Sequence, residues 1–96
     1  MISIPSNFVD EMIEHSIQED PNECCGILAG SNGVISSLYR VKNSTPSPFR
    51  YVMDPKDQMN VMKETDELGL DLIAFYHSHT HSPAYPSETD TRMAVE

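Results

Sequence analysis

The side chains best suited to chemistry are concentrated between positions 77 and 90 of the sequence. His77 and His79 stand at the end of a strand-like segment, and since strand side chains alternate between faces, both imidazoles are expected on one side. Asp90 supplies a carboxylate a short distance further on. Two imidazoles and one carboxylate are the ligands of a catalytic zinc that keeps a fourth position for water. The sequence therefore predicts a metallohydrolase.

The spacing of these residues is more specific than their types. His77-x-His79 is followed after seven residues by Ser87, and Asp90 lies three residues beyond the serine. This arrangement resembles the JAMM motif of the MPN-domain metalloproteases. Upstream, Glu23 precedes a small, glycine-containing apolar run, which is similar to the glutamate segment of the same family. The likeness is greatest to the short bacterial and archaeal branch.

The resemblance implies a role for each matching residue. His77, His79 and Asp90 would bind Zn²⁺, Ser87 would help to stabilise the tetrahedral intermediate, and Glu23 would activate the water. Taken by itself, each residue also has an ordinary structural interpretation. The Ser87-x-x-Asp90 pattern is a helix-capping pattern, and Glu23 alone would be a solvated carboxylate. The agreement of all five positions favours the metal site.

Other zinc signatures fit this chain poorly. It has no H-E-x-x-H run, and its adjacent Cys24 and Cys25 are not the spaced pair of the zinc deaminases. His79 and His81 also share a face. However, only His77 with His79 gives the seven-residue gap, so His81 is assigned to the rim of the site. Thr80 stands where the family most often has proline.

Length and the resemblance together predict the architecture. A chain of 96 residues is expected to be one domain, residues 1–96. The resemblance implies the α/β class, with a mixed β-sheet flanked by helices in the JAMM/MPN (cytidine-deaminase-like) arrangement. Members of the family continue beyond the Asp90 helix with further strands. Because this sequence ends at Glu96, we expect those strands to be lacking, and an exposed sheet edge would promote self-association.

Composition excludes several classes of partner. The formal net charge of −9 argues against nucleic acid and against anionic membranes, which both attract basic surfaces. No apolar run is long enough for a spanning helix, and the N-terminus lacks a signal-peptide pattern. Neighbouring Cys24 and Cys25 are poorly placed for a disulfide, which favours reduced, buried thiols and a cytoplasmic location.

Periodicity and turn residues predict the order of the elements. Helical spacing of Phe8, Val9, Met12, Ile13 and Ile17 predicts an amphipathic first helix from Ser6 or Asn7 to about Glu19. A second helix should follow Asp54-Pro55, with Met59 and Met62 inward. The predicted strands are Cys24 to Ala29, Val34 to Lys42 after an Asn32-Gly33 turn, Phe49 to Met53, and Leu70 to His77. A loop at Ser82 to Pro86 and a last helix from Ser87 complete the chain.

The resemblance implies hydrolysis of an amide bond at an extended C-terminal tail. By likeness to the short prokaryotic branch, we expect the partner to be a ubiquitin-like sulfur-carrier protein that is cleaved after a terminal diglycine. An extended tail is expected to pair with the strand that carries the histidines, or to lie on the Ser82 to Pro86 loop. Two alternatives remain: a catalytically inactive MPN scaffold, and a truncated domain that binds zinc without turnover.

Overall fold

A computed structural model of the chain describes residues 2–79 and 92–95. These residues form an α/β fold, as predicted, with two helices and four strands. Within this part of the chain, neither helix has both the length and the apolar character needed to cross a membrane. In chain order the elements are α1 (Ser6–Glu19), β1 (Cys25–Ser31), β2 (Val34–Val41), α2 (Pro55–Glu67), β3 (Asp71–His79) and β4 (Arg92–Val95).

The four strands form one sheet in the order β2-β1-β3-β4. Each neighbouring pair of these strands is antiparallel. A parallel element is present as a single bridge between Ser3 and Val34. Because β3 lies between β1 and β4, the strand that carries His77 and His79 is in the interior of the sheet.

A tight turn joins β1 to β2. Asn32 and Gly33 both have positive φ angles, 53° and 78°, and Ser31 pairs directly with Val34. Two successive positive φ angles are the requirement of a type I′ hairpin turn, which Asn-Gly meets at low steric cost. The predicted hairpin is therefore confirmed.

Helix α1 has the predicted bounds but a different buried face. Its buried side chains are Met12, His15 and Ser16, with Phe8 partly buried against the same cluster. These positions follow an i, i+4, i+7, i+8 pattern, which is one face of a helix. The face is rotated from the apolar repeat because His15 reaches a partner inside the protein. Three residues of the apolar repeat that predicted the helix, Val9, Ile13 and Ile17, are exposed.

Helix α2 begins as predicted, since the Asp54 side chain accepts a hydrogen bond from the Asp57 backbone N–H (3.1 Å) and Pro55 occupies the first turn. Val61 and Thr65, one helical turn apart, are the buried residues. The predicted inward methionines are exposed, at 70% for Met59 and 49% for Met62. That prediction is wrong because the neighbouring Val61–Thr65 face packs on the sheet.

Two further predictions of secondary structure are wrong. Residues 49–53 do not form a strand; the structure has one bridge there, from Asn43 to Met53. Residues 92–95, predicted within the last helix, form β4, which pairs with β3 from Tyr76–Val95 to His79–Arg92. Strand β3 gains a second hydrogen-bonded neighbour by this pairing. The predicted Ser82 to Pro86 loop lies outside the described residues.

Each face of the sheet carries a hydrophobic cluster, one beneath each helix. The cluster on the α1 side is Met12, Cys24, Leu28, Ile35, Ala74 and Tyr76. The cluster on the α2 side is Cys25, Ile27, Val41 and Val61. Adjacent Cys24 and Cys25 thus face opposite sides, as strand alternation requires.

The buried Tyr76 side chain restricts two neighbouring positions on the α1 side, Gly26 and His15. Tyr76 is fully buried and is the cross-strand partner of Gly26, where any Cβ would overlap the tyrosine ring. The Tyr76 hydroxyl is hydrogen-bonded to His15 Nδ1 at 2.8 Å. Burial, with a smaller contribution from the Arg40 charge, lowers the pKa of His15 to about 4. Residue 26 must therefore be glycine, and His15 is a neutral member of the interior.

Candidate active site

The structure describes three of the five predicted site residues. His77 and His79 lie near the end of β3, and Glu23 lies two residues before β1. Ser87 and Asp90 lie outside the described residues, as does His81. The described part of the site consists of Glu23, His77, the backbone of His79 and their surroundings.

The β1–β3 pairing brings the backbone of Glu23 to the end of β3 that carries His77. Cys25 pairs with His77 in the sheet. One position further, the Ser78 N–H donates to the Cys24 carbonyl (3.1 Å) and the Cys24 N–H donates to Ser78 Oγ (2.8 Å). Glu23, the residue before Cys24, therefore lies at the end of the sheet where β3 ends. Residues more than 50 positions apart in the chain thus meet at one end of the sheet.

Glu23 is buried and its backbone is fixed on both sides. Glu23 is 4% exposed. The Glu23 N–H donates to the Ser47 carbonyl (2.8 Å), and the Glu23 carbonyl accepts from Asn43 Nδ2 (3.1 Å). Glutamate is rarely this buried without a specific role. The interpretation of Glu23 as an ordinary solvated carboxylate does not agree with its burial.

His77 is also buried, at 6% exposure. Its imidazole stacks on the ring of Tyr51, with centroids 4.6 Å apart and planes 25° apart. This contact restricts the orientation of the imidazole, which matters for any role in binding a ligand or a metal. Sequence reasoning missed Tyr51, because no local signal connects this tyrosine to a strand that begins 20 residues away.

Ser78 is a second residue that sequence reasoning missed. It stands between the two histidines and is completely buried. Strand alternation directs it to the face opposite to that of His77. There its hydroxyl accepts the hydrogen bond from the Cys24 N–H. Ser78 therefore links the residue before β1 to β3 beside the site by a hydrogen bond.

Both cysteines are free and buried. Burial, followed by the neighbouring charge of Cys24, raises the pKa of the Cys25 thiol to about 12, and burial also raises the pKa of Cys24. Cys25 donates a weak hydrogen bond to the Val41 carbonyl (3.5 Å). A thiol that stays protonated is a poor nucleophile. Both cysteines are structural, as the sequence predicted.

The donors described so far fit part of a zinc site. His77 and His79 are two residues apart on one strand, and imidazole nitrogen is among the favoured ligands of zinc. The third predicted ligand, Asp90, lies outside the described residues. Within residues 2–79 and 92–95, no group of three or more His, Cys, Asp or Glu side chains is arranged to hold a metal. The complete ligand set is therefore a proposal.

Comparison with known proteins gives consistent matches. A family model described as prokaryotic homologues of the JAB domain matches residues 5–96. The chain is 33% identical over 98 residues to the CysO-cysteine peptidase of Mycobacterium tuberculosis, covering 100% of this chain and 67% of that protein. It is 34% identical over 95 residues to a probable TtuB-protein conjugate cleaving protease of Thermus thermophilus, covering 98% and 64%.

Two further relatives extend the comparison. A desampylase of Haloferax volcanii is 29% identical over 100 residues, covering 97% of this chain and 72% of the relative. The solution structure of a Desulfitobacterium hafniense protein superimposes with a TM-score of 0.77 at 33% identity, covering 91% of this chain and 62% of that one. The chain thus spans about two thirds of the length of the relatives it matches.

Proposed function

Because the chain belongs to the family of prokaryotic homologues of the JAB domain, we propose that it is a zinc-dependent peptidase acting on the C-terminal tail of a ubiquitin-like protein. Membership of this family confirms the resemblance to the JAMM/MPN metalloproteases. The names of two relatives refer to cleavage of CysO-cysteine and of TtuB conjugates. These names support a protein conjugate as the substrate class. A ubiquitin-like sulfur carrier as the partner and the cytoplasm as the location are part of the proposal.

The observation that carries this proposal is the meeting of Glu23 with the histidine strand. The Cys25–His77 pairing and the two hydrogen bonds between Cys24 and Ser78 fix the relative positions of Glu23 and β3. Glu23 and His77 are both buried at this end of the sheet, where a hydrophobic core alone would not require a carboxylate. This is the arrangement expected of a proton acceptor next to a metal.

In the proposed site, His77, His79 and Asp90 would hold the zinc. When bound, zinc supplies Lewis acidity that activates water and polarises a carbonyl group. The Tyr51 ring, stacked on His77, limits rotation of that imidazole. The Ser78 hydroxyl acts on the opposite face of the strand and maintains the β1–β3 register.

Glu23 would carry the proton in the reaction. Its carboxylate accepts a proton from the attacking water and passes it to the leaving amine, which is general acid–base catalysis. The Glu23 backbone that carries this carboxylate is fixed, because both its N–H and its carbonyl are hydrogen-bonded. Ser87 would donate its hydroxyl to the developing oxyanion.

The position of β3 corrects the expected mode of tail binding. A tail cannot pair with β3 beside the histidines, since β1 and β4 already occupy both of its edges. Among the described strands, β2 and β4 each have one strand neighbour. A tail that adds to the sheet would use one of these two strands. Small residues such as a diglycine would allow its backbone to approach the zinc.

The test is cleavage of a sulfur-carrier protein extended past its C-terminal Gly-Gly, with zinc content measured on the same sample. Glu23→Gln keeps the shape of the side chain but cannot accept the proton, so zinc should remain while the rate falls about 10²- to 10⁴-fold. Glu19→Gln, a change at an exposed carboxylate at the end of α1, is the matched control and should keep full activity.

The outcomes separate the proposal from its alternatives. An unchanged rate in Glu23→Gln removes Glu23 from the mechanism. Zinc without activity in the wild-type chain favours a zinc-binding domain without turnover, and absence of zinc favours a scaffold. Replacement of the second glycine of the substrate by valine should block cleavage. Equal cleavage of that substrate would contradict a site selective for a slim tail.

A further inference from the structure

The side chain of Asn43 lies at a junction between three segments of the chain. Asn43 follows β2 and is buried, at 8% exposure. It begins the segment of residues 43–53, named here the Asn43 loop, which ends where Met53 forms a bridge back to Asn43. Two backbone hydrogen bonds close this loop, from Ser44 N–H to the Val52 carbonyl and from Asp54 N–H to the Lys42 carbonyl, both 2.8 Å.

The Asn43 carboxamide uses its full hydrogen-bonding capacity. Its Nδ2 donates to the Glu23 carbonyl (3.1 Å) and, at 3.5 Å, to the Arg50 carbonyl. Its Oδ1 accepts from the Thr45 N–H (3.1 Å) and the Val52 N–H (3.0 Å). An amide side chain has two donor hydrogens and two acceptor lone pairs. A buried amide with every bond formed specifies one arrangement of the segments it joins.

These bonds connect the two candidate site residues that the structure describes in full. On one side, Asn43 holds the Glu23 carbonyl. On the other, it holds the main chain immediately before and after Tyr51, whose ring stacks on His77. The same loop also contributes the Ser47 carbonyl that accepts the Glu23 N–H. A single side chain therefore links the placement of the carboxylate to that of the imidazole.

We propose that Asn43 is a positioning residue of this active site, which sets the Glu23 carboxylate relative to His77 through the Asn43 loop. The inference rests on the proposed function, because it assigns Asn43 a role in the same reaction. Asn43 contacts neither substrate nor metal in this role. Its effect on rate arises because a displacement of about 1 Å in a catalytic group costs about 100-fold.

The first test is a double-mutant cycle between Asn43 and Glu23. Asn43→Ala should lower kcat about 10- to 100-fold and leave KM within about 3-fold. In the Glu23→Gln background the same change should cost less than about 3-fold, because the group being positioned can no longer accept a proton. Equal losses in both backgrounds would show a general structural effect and overturn the proposal.

The second variant, Asn43→Asp, keeps the size of the side chain. Ionised, it places a negative oxygen against the Glu23 and Arg50 carbonyls, where the wild-type amide donates. Protonated, it regains one donor. The ratio of its kcat to that of the wild type should therefore rise as pH is lowered towards the carboxyl range. A ratio that stays constant with pH would contradict a role for the Nδ2 donors.

Hydrogen exchange supplies a readout that does not depend on activity. Asn43→Ala should speed exchange of the Glu23, Thr45 and Val52 amides about tenfold or more, since each depends on the loop or on Oδ1. The matched control is Ser44→Ala, which removes an exposed hydrogen bond to the Val52 carbonyl in the same loop. It should leave kcat and Glu23 exchange unchanged.

The two proposals fail in different ways. A wild-type chain without peptidase activity would refute the proposed function, and exchange at Glu23 would still decide whether Asn43 controls its placement. Unchanged Glu23 exchange in Asn43→Ala would overturn the positioning role, whatever the activity.

Discussion

The ring of Tyr51 lies nearly parallel to the imidazole of His77, with 4.6 Å between the ring centroids. Tyr51 lies in the Asn43 loop and His77 lies in β3, so the two rings meet only because the chain is folded. Since stacking restrains the imidazole plane, the loop contributes to the orientation of a proposed metal ligand.

Removing the Tyr51 ring should weaken zinc binding. Aromatic pairs contribute about 0.5–1.5 kcal/mol beyond burial, so Tyr51→Ala should lower zinc affinity about 2- to 10-fold. Tyr51→Phe keeps the stacked ring and should retain affinity. Tyr39→Ala, a change in another tyrosine packed on the α2-side cluster, is the control. Competition with a chromophoric chelator measures the effect, and equal affinities for Tyr51→Ala and Tyr39→Ala would contradict it.

The proposed ligand set of two histidines and one aspartate predicts how much zinc the chain binds. The wild-type chain should bind one zinc, and His77→Ala, His79→Ala or Asp90→Ala should each abolish tight binding, because a three-ligand site cannot lose a ligand. His81→Ala should keep the metal. Elemental analysis after gel filtration measures the content. Zinc retained in His77→Ala but lost in His81→Ala would show that the assigned histidine register is wrong.

The cysteines should be unreactive in the folded protein. Burial raises the pKa of both thiols, that of Cys25 to about 12, so little thiolate is present at pH 8. Reaction with Ellman's reagent should be at least about 100-fold slower in the native chain than in guanidinium, where both thiols react. Rapid labelling of one equivalent in the native protein would contradict this prediction.

Acid should destabilise the fold through His15. Burial, with a smaller contribution from Arg40, lowers the pKa of His15 from its ordinary value of 6.5 to about 4. Between these values the unfolded state therefore binds a proton that the native state does not. The free energy of unfolding should therefore fall by about 3 kcal/mol as pH decreases from 6.5 to 4. His15→Gln should remove this part of the pH dependence, as measured by denaturant unfolding at several pH values. Parallel curves for the two proteins would exclude His15 as the cause.

Elements with strong local signals were predictable from the sequence. Helix α1 has its apolar repeat and Pro21 beyond its end, the hairpin has Asn32-Gly33, and α2 has Asp54-Pro55 at its start. The buried faces of the helices were less predictable. In α1, His15 is turned inward and shares an interior hydrogen bond with Tyr76. A periodicity argument cannot include a partner 61 residues away.

The candidate site also contains residues that were predictable from the sequence and residues that were not. Glu23, His77 and His79 were found because their types and spacing match a family motif, and the structure brings them to one end of the sheet. Ser87 and Asp90 stay predictions. Asn43, Tyr51 and Ser78 were missed because their partners are set by strand register and loop closure. Such residues become visible only when distant segments are in place.

The strand order β2-β1-β3-β4 also implies an order in which the strands pair during folding. Pairs in the β1–β2 hairpin are separated by 3 to 16 residues along the chain, whereas β1–β3 pairs are separated by 41 residues at Gly30–Asp71 and by 52 at Cys25–His77. Longer closures cost more entropy, so we expect the hairpin to form early and the Cys25–His77 end to pair late. Zinc should then slow unfolding and leave the refolding rate nearly unchanged, which stopped-flow measurements with and without the metal would show. Faster refolding in the presence of zinc would instead place the histidines in the folding nucleus.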